Sequence, residues 1–480
     1  MAVIVAAGRV AAFRATAFRA TALKTTAFRA TAFKAATFRA ATIQATGFDA
    51  LAVIVAAGRV AAFRATAFRA TAFKAATIQA TWFDALAVIV AAGSVAAFKA
   101  TASMATVRLP APTLITRPTA LRQLVDRLAR QSILAVDTES NSLFSYRERV
   151  CLIQFSTPQE DILVDPLALD DLSPLEELFA EARIEKVFHA AEYDLITMKR
   201  DFGFSFANLF DTMLAARILG WPEVGLGSIL KAEFDVELDK GYQRANWGRR
   251  PLPADMLDYA RLDTHYLIPL RMHLKAELKA RERWALAEED FNRLRHVNGR
   301  DPDDQPEACW RVSGAYDLTP QQAAVLQALC EYREQVARTI DRPVFKVIND
   351  RALLAIAAAS AQDPDSLERA SGLRPKQLHR HEIGLLKAVQ KGLRAGPLYP
   401  RRNPRPDEGY LARLEALRTW RKDTAQDMGV NSDVVLPRDL LFGLAGLERP
   451  SPEEVSAVMA QVPWRLKHFG GEILKVLANA

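Results

Sequence analysis

The chain has 480 residues, half of them hydrophobic, and a net charge of +7. This predicts two to four domains with ample hydrophobic core. Arg or Lys interrupts every apolar run, which excludes a membrane-spanning helix, so we expect a soluble, monomeric protein with no membrane partner. Cys151, Cys309 and Cys330 are isolated, without the spacing of a zinc site or the even number of a disulfide framework, which fits a cytoplasmic location.

The positive charge is concentrated near the N-terminus. Residues 1–105 contain twelve basic and two acidic residues, whereas the remainder contains 51 basic and 54 acidic residues. The larger part of the chain is therefore slightly acidic. The net charge gives no evidence for a nucleic-acid partner there, and any nucleic-acid surface must be a local patch.

Residues 1–105 are a low-complexity tandem repeat, in which Ala2–Ala22 recurs identically as Ala52–Ala72. Basic residues recur every five positions, a period that matches neither helix nor strand, so no constant apolar face results. We expect no folded domain here, and we interpret the segment as duplicated sequence ahead of a true start at Met104. A transit peptide and a basic nucleic-acid-binding arm are the alternatives.

The segment 108–296 alternates between strand and helix patterns. Apolar runs predict strands at 133–136, 150–155, 162–164 and 186–188, and helical spacing occurs near 121–128, 175–179, 191–198 and from 254 to about 295. Strands that alternate with helices predict an α/β domain, in which a mixed sheet is flanked by helices.

Two segments rich in chain breakers divide the rest of the chain. Residues 297–306 and 396–406 are polar or proline-rich and read as linkers. The segments 316–395 and 407–480 have helical patterns. We therefore expect two small all-α domains after the α/β domain.

Three acidic clusters occur in the α/β segment. Asp137 and Glu139 end an apolar strand, where residues two apart share a face. Tyr259 and Asp263 are four apart in a helical pattern, which also places them on one face. With Asp194, in another helical stretch, these residues are predicted to form one catalytic site.

Four carboxylates suit a pair of hard divalent ions, Mg²⁺ or Mn²⁺. Two such ions promote phosphodiester hydrolysis by stabilising charge on the attacking and leaving oxygens. We expect Asp137 to bridge both ions, and Glu139, Asp194 and Asp263 to complete the ligand set. Tyr259 is expected to orient the attacking water or to help deprotonate it.

At these residues the chain resembles the DEDDy branch of 3′-5′ exonucleases, and within it the ribonuclease D family. The resemblance covers about residues 111–295. It rests on the five residues and on the segments Val136–Glu139, Tyr146–Gln154, Phe210–Thr212, Leu238–Trp247 and Arg250–Leu252. It implies a ribonuclease H-like fold, two metal ions and hydrolysis from a 3′ end.

Other residues near these motifs are weaker candidates. The family commonly has an aromatic residue where this chain has Ser140, so contacts to the terminal nucleotide are expected to differ. Asp211 is expected to support the structure rather than bind metal, and His189 to be a satisfied imidazole rather than a ligand. The remaining candidates are substrate contacts for which helix packing or solvation is the alternative: Gln243, Trp247 and Arg250.

The helical segment 318–393 resembles an HRDC domain, a nucleic-acid-binding module, and 410–477 resembles a diverged second copy. Four basic residues are candidate phosphate contacts, with a solvated helix face as the alternative: Lys346, Arg351, Lys376 and Arg380.

The leading hypothesis from the sequence is a 3′-5′ exoribonuclease that acts on tRNA precursors or other small structured RNAs. A DNA 3′-5′ exonuclease is the alternative, because the same carboxylates serve either nucleic acid and the preference for RNA rests on the resemblance. A non-catalytic RNA-binding adaptor would lack one of the ligands, and all four are present.

Overall fold

The computed structural model describes residues 109–298, 308–400 and 406–480. The predictions for residues 1–105 and for Met104 lie outside these ranges. Within the ranges, every helix is too short or too polar to span a bilayer.

A six-stranded mixed sheet forms the centre of the α/β domain in the described part of the chain. The strands are β1 (Thr113–Ile115), β2 (Ile133–Ser140), β3 (Val150–Ser156), β4 (Asp161–Val164), β5 (Glu185–Phe188) and β6 (Leu209–Asp211). Their order across the sheet is β1-β4-β3-β2-β5-β6. Strand β3 is antiparallel to both neighbours, and the other pairs are parallel.

The four predicted strands are confirmed, and the mixed sheet with them. Strands β1 and β6 were not predicted, because three residues are too few for an alternating pattern to be recognised. Strand β2 extends four residues beyond its predicted end at Val136.

Helices cover both faces of the sheet. They are α1 (Pro118–Leu128), α2 (Ser173–Ala180), α3 (Glu192–Phe202), α4 (Thr212–Leu219), α5 (Leu226–Phe234), α6 (Ala254–His265), α7 (Leu267–Ala280) and α8 (Trp284–Leu294). Helices α1 to α3 pack with Leu134 and Val136 of β2 on one face. Helices α4, α5, α7 and α8 pack with Ala135 on the other face.

The remainder of the chain is helical, and we call residues 308–400 the first module and 406–480 the second module. The helices of the first are α9 (Pro320–Thr339), α10 (Val344–Val347), α11 (Asp350–Ala359), α12 (Pro364–Ser371) and α13 (Pro375–Arg394). Those of the second are α14 (Glu408–Met428), α15 (Ser432–Val435), α16 (Arg438–Ala445), α17 (Pro452–Val458) and α18 (Pro463–Ala478). Each module has its own apolar core.

Both modules dock on the α/β domain through specific contacts. In the second module, the fully buried Arg465 forms ion pairs with Glu289 and Asp290 of α8. A Cβ atom at Gly220, the residue after α4, would collide with the carbonyl oxygen of Gly429. In the first module, Asp341 accepts a hydrogen bond from the backbone N–H of Tyr146, at 2.9 Å.

The expectation of three isolated cysteines is wrong. Cys309 and Cys330 form a disulfide, and their Cα atoms are 5.9 Å apart. A short 3₁₀ helix over Ala308–Arg311 brings Cys309 against α9, which carries Cys330. Sequence spacing did not reveal this pair, because the turn between the two elements sets the approach. Cys151 is a buried free thiol.

Candidate active site

Strand β2 carries the first two acids. Asp137 and Glu139 lie on the strand itself and, being two residues apart, share a face. Their partners on β3 are Gln154 and Leu152 respectively. Leu152 shares an apolar cluster with Ala260 of α6, and Ser156, on the same face of β3, is hydrogen-bonded to Thr264 of α6. The carboxylates therefore lie on the face that α6 covers.

The third acid, Asp194, lies in the first turn of α3, next to β2. It is 7% exposed, and its Oδ1 accepts a hydrogen bond from the hydroxyl of Thr138, between the two acids of β2. A residue of β2 therefore holds Asp194 beside the other carboxylates.

Asp211 fixes the turn that places α3. Its carboxylate accepts hydrogen bonds from the backbone N–H groups of Ala190 and Ala191, at 3.2 and 2.7 Å, and caps the N-terminus of α4. Ala190 has a φ of 62°, a left-handed conformation that costs an alanine roughly 1–2 kcal/mol. These bonds hold that conformation, so the prediction of a structural role for Asp211 is confirmed.

The imidazole of His189 has a hydrogen-bond partner, as expected. Its Nδ1 lies 2.9 Å from the hydroxyl oxygen of Thr212. Burial lowers the pKa of the imidazole, and the nearby Asp211 opposes this shift. His189 thus remains outside the carboxylate set.

Helix α6 brings the last two residues over the sheet. The hydroxyl oxygens of Thr264 and of Ser156 on β3 are 2.7 Å apart, which ties the helix to the sheet beside Asp263. One turn earlier, the ring of Tyr259 lies 6.1 Å from that of Trp247 and 5.8 Å from that of Tyr242, centroid to centroid. These aromatic contacts fix the direction of the phenol.

The five side chains share one electrostatic environment. Burial raises the pKa of Asp137 well above its ordinary value, and Asp194, Asp263 and Glu139 add to the rise. Burial and the charges of Asp263 and Asp194 raise the pKa of Glu139 to about 9. The pKa values of Asp194 and Asp263 are raised to about 7, chiefly by burial. Burial and the nearby acids also raise the pKa of Tyr259, so its phenol stays protonated.

This donor set fits hard divalent cations by its chemistry. Four carboxylates confined together repel one another, and a bound cation would relieve that repulsion. By geometry alone, no group of three His, Cys, Asp or Glu within the described ranges is placed to hold a metal ion, so the fit rests on the chemistry of the donors.

A pocket of about 220 Å³ opens beside Glu139. The residues that line it include Glu139, Leu143, Tyr193, Gln243 and Trp247. Two of the three expected substrate contacts, Gln243 and Trp247, thus adjoin the carboxylates. Sequence analysis did not identify Tyr193, although its position just before Asp194 on α3 was a usable signal.

Arg250 makes structural contacts within the α/β domain. Its guanidinium donates to both carboxylate oxygens of Asp165, at 2.6 and 2.7 Å, and to the carbonyl oxygens of Cys151 and Trp247. These bonds join the segment after Trp247 to β3 and β4. Arg250 does not line this pocket.

The loop that follows β2 connects the pocket to the first module. Leu143 lines the pocket, and the ring of the adjacent Phe144 lies 4.3 Å from the Nζ of Lys346. The hydroxyl of Tyr146 donates to Glu334. The four basic side chains expected to contact phosphate, which include Lys346, are exposed.

Comparison with known proteins places the chain in a family. A family model of 3′-5′ exonucleases matches residues 112–279, and a model of the HRDC domain matches residues 322–389 and 410–477. Ribonuclease D of Nitrobacter hamburgensis is 30% identical over 363 residues, which make up 74% of this chain and 93% of the relative.

Solved structures agree with this assignment. The crystal structure of Escherichia coli RNase D, described as an exoribonuclease involved in structured RNA processing, aligns with a TM-score of 0.59 and 25% identity, covering 77% of this chain and 99% of that chain. The catalytic core of RRP6 from Trypanosoma brucei aligns with a TM-score of 0.53 and 27% identity, covering 60% of this chain and 81% of that chain. The chain belongs to the ribonuclease D family and is a nuclease with a 3′-5′ exonuclease domain followed by HRDC domains.

Proposed function

We propose that this protein is a 3′-5′ exoribonuclease that hydrolyses RNA from its 3′ end with two divalent metal ions, Mg²⁺ or Mn²⁺. The observation that carries the proposal is the cluster of four carboxylates beside a pocket, Asp194 buried and the other three partly buried. The charges of Asp194, Asp263 and Glu139 each raise the pKa of another acid of the cluster, and all three act on Asp137. The exonuclease family is metal-dependent.

The ligands in this proposal are Asp137, Glu139, Asp194 and Asp263. Bound ions would supply a nucleophilic water and neutralise the charge that develops on the phosphate oxygens. Asp137 is expected to bridge, since the charges of all three other acids act on it. The protein contributes the placement of these carboxylates on β2, α3 and α6.

Tyr259 is proposed to orient the attacking water. Its protonated phenol lies one turn from Asp263 and is held by the rings of Trp247 and Tyr242. A phenol in this state donates a hydrogen bond. Orientation is therefore favoured over proton abstraction, the other role considered for this residue.

The pocket beside Glu139 is proposed to hold the terminal nucleotide. A volume of about 220 Å³ suits a single base or ribose better than a duplex end. The exposed Tyr193 offers a face for a base to stack on, and Gln243 offers an amide for hydrogen bonds. The site would then accept an unpaired 3′ end.

RNA is proposed as the substrate because the relatives are ribonucleases, and one solved relative is described as processing structured RNA. The modules are expected to hold the body of a small structured RNA, such as a tRNA precursor, while its 3′ end enters the site. Exposed Lys346 and Arg351 at the first module are suited to contact its phosphates.

A time course on 5′-labelled RNA and DNA oligomers of matched sequence, and on a tRNA precursor, tests the proposal. We expect stepwise shortening of the RNA substrates from the 3′ end with Mg²⁺ or Mn²⁺, and none with EDTA. Equal or faster cleavage of DNA would favour a DNA exonuclease. RNA binding without cleavage in either metal would instead indicate a binding module.

A further inference from the structure

Gln154, in the middle of β3, has an unusual environment. The side chain is fully buried, and among the described residues neither its Nε2 nor its Oε1 has a hydrogen-bond partner. A buried polar group without a partner costs roughly 1–3 kcal/mol. An apolar residue of similar volume would avoid that cost, so the amide requires an explanation.

The sheet register places Gln154 at the floor of the carboxylate cluster. It is the cross-strand partner of Asp137 in the antiparallel β2–β3 pair. Residues paired in this way lie on the same face, with their Cβ atoms about 4.5–5.5 Å apart. The amide of a glutamine can therefore reach the carboxylate of Asp137 by rotation about its own side-chain bonds.

Helix α6 closes the site above Gln154. Two residues along β3 in one direction, the hydroxyl of Ser156 meets that of Thr264. Two residues in the other direction, Leu152 packs with Ala260 of the same helix. Gln154 therefore lies beneath the turn of α6 that carries Asp263, between β2 and α6, which hold three of the four acids.

The residue type fits a role beside carboxylates. An amide donates a hydrogen bond to a carboxylate oxygen while adding no charge, so it does not compete with a cation as a lysine would. Hydrogen bonds to ligating carboxylates orient them towards a metal and raise its affinity. A methionine would fill the same space without this donor.

We propose that Gln154 is a positioning residue, whose side-chain amide donates to Asp137 and fixes the direction in which that carboxylate ligates. The inference rests on the proposed function of the carboxylates as metal ligands. It concerns a different residue, so an experiment can refute the role of Gln154 without refuting the metal site.

The test compares the full-length wild-type protein with the Gln154→Met and Leu163→Met variants. Leu163, on β4, is the cross-strand partner of Gln154 and is fully buried. Its variant is therefore a matched control for a change of side-chain shape next to Gln154. The readouts are the Mn²⁺ affinity by titration calorimetry, the thermal stability of the metal-free protein, and kcat and KM on an RNA oligomer.

For Gln154→Met we expect Mn²⁺ affinity to fall about 10- to 100-fold. The loss of kcat at low Mn²⁺ should be recovered at high Mn²⁺, while KM for RNA stays close to wild type. Metal-free stability should not fall, because the variant removes a buried amide that has no partner within the described part of the chain. Leu163→Met should match wild type in Mn²⁺ affinity. An unchanged affinity in Gln154→Met would overturn the inference alone, whereas a wild-type protein that binds no Mn²⁺ would overturn the proposed metal site as well.

A crystal structure from wild-type crystals soaked in Mn²⁺ gives a second test that needs no variant. We expect Gln154 Nε2 within about 3.2 Å of an Asp137 carboxylate oxygen. An amide directed away from both oxygens of an Mn²⁺-ligating Asp137 would refute the role.

Discussion

Arg465 of the second module and Glu289 of the α/β domain form a buried ion pair, in which Nη1 and Oε1 are 2.5 Å apart. The arginine is fully buried and also binds the carboxylate of Asp290 and the carbonyl oxygen of Val434. Removing one partner of a buried pair leaves an uncompensated charge. The docking of the second module therefore depends on this arginine.

Arg465→Ala should destabilise the protein by about 3–5 kcal/mol. Chemical denaturation would measure this, and we expect faster hydrogen exchange around Val434, where the module meets α8. Arg449→Ala, an exposed arginine of the same module, is the control and should change little. Equal stability of the two variants would show that the pair does not hold the interface.

Tyr146→Ala should weaken substrate binding more than it slows catalysis. The side chain anchors the loop that follows Leu143 to the first module. Its hydroxyl donates to Glu334, and the guanidinium carbon of Arg338 lies 5.6 Å from the centre of its ring. Without the anchor, we expect KM for RNA to rise roughly fivefold, equivalent to about 1 kcal/mol, with kcat nearly unchanged. Steady-state kinetics measures both constants.

Tyr146→Phe retains the ring and separates the two contributions. It should show a smaller rise in KM, because the hydrogen bonds of the hydroxyl with Glu334 and Arg338 are lost while the contact of the ring with Arg338 remains. If both variants keep the wild-type KM, the contacts of Tyr146 with the first module do not affect substrate binding in the pocket.

Tyr259→Phe should lower kcat roughly 10- to 100-fold, which corresponds to one hydrogen bond to a charged group. RNA affinity should change little, because the ring contacts with Trp247 and Tyr242 remain. Single-turnover kinetics and a binding titration separate the two effects. Tyr266→Phe, at the C-terminal end of the same helix, is the control. A wild-type rate in Tyr259→Phe would remove the phenol from the mechanism.

The metal-free protein should lose stability as the pH rises. The folded pKa values of Asp194 and Asp263 are raised to about 7 and that of Glu139 to about 9, so the folded state holds protons that the unfolded chain releases near pH 4. This contribution is fully present below about pH 4 and is lost as the pH rises through 7 to 9.

Denaturation in EDTA between pH 5 and pH 9 measures this loss. Asp263→Asn removes one of the three groups and should show a shallower decline, with higher stability than wild type at pH 9. Parallel curves for the two proteins would mean that Asp263 titrates as an ordinary exposed carboxyl.

The sequence predicted the elements that carry the acids, because each has a local pattern. The apolar run before Asp137 indicated a buried strand, and the four-residue spacing of Tyr259 and Asp263 indicated one helix face. Both elements are confirmed. Placing Asp194 beside them required the family resemblance, since nothing local relates α3 to β2.

Features that depend on pairing between distant segments were missed. The disulfide of Cys309 and Cys330 and the buried amide of Gln154 follow from how elements meet in space. The structural contacts of Arg250 were missed for the same reason, because its partner Asp165 is 85 residues away in the chain. Short strands such as β6 have too few residues for a periodic signal.

Replacing Asp137 with asparagine tests the central claim most directly. An amide is a poor ligand for hard divalent cations, and Asp137 is affected by the charges of all three other acids. We expect Asp137→Asn to fold and to bind an RNA oligomer as wild type does, while Mg²⁺- and Mn²⁺-dependent cleavage of its 3′ end is abolished in a single-turnover assay. Cleavage at the wild-type rate would contradict the assignment of the four carboxylates as the metal site.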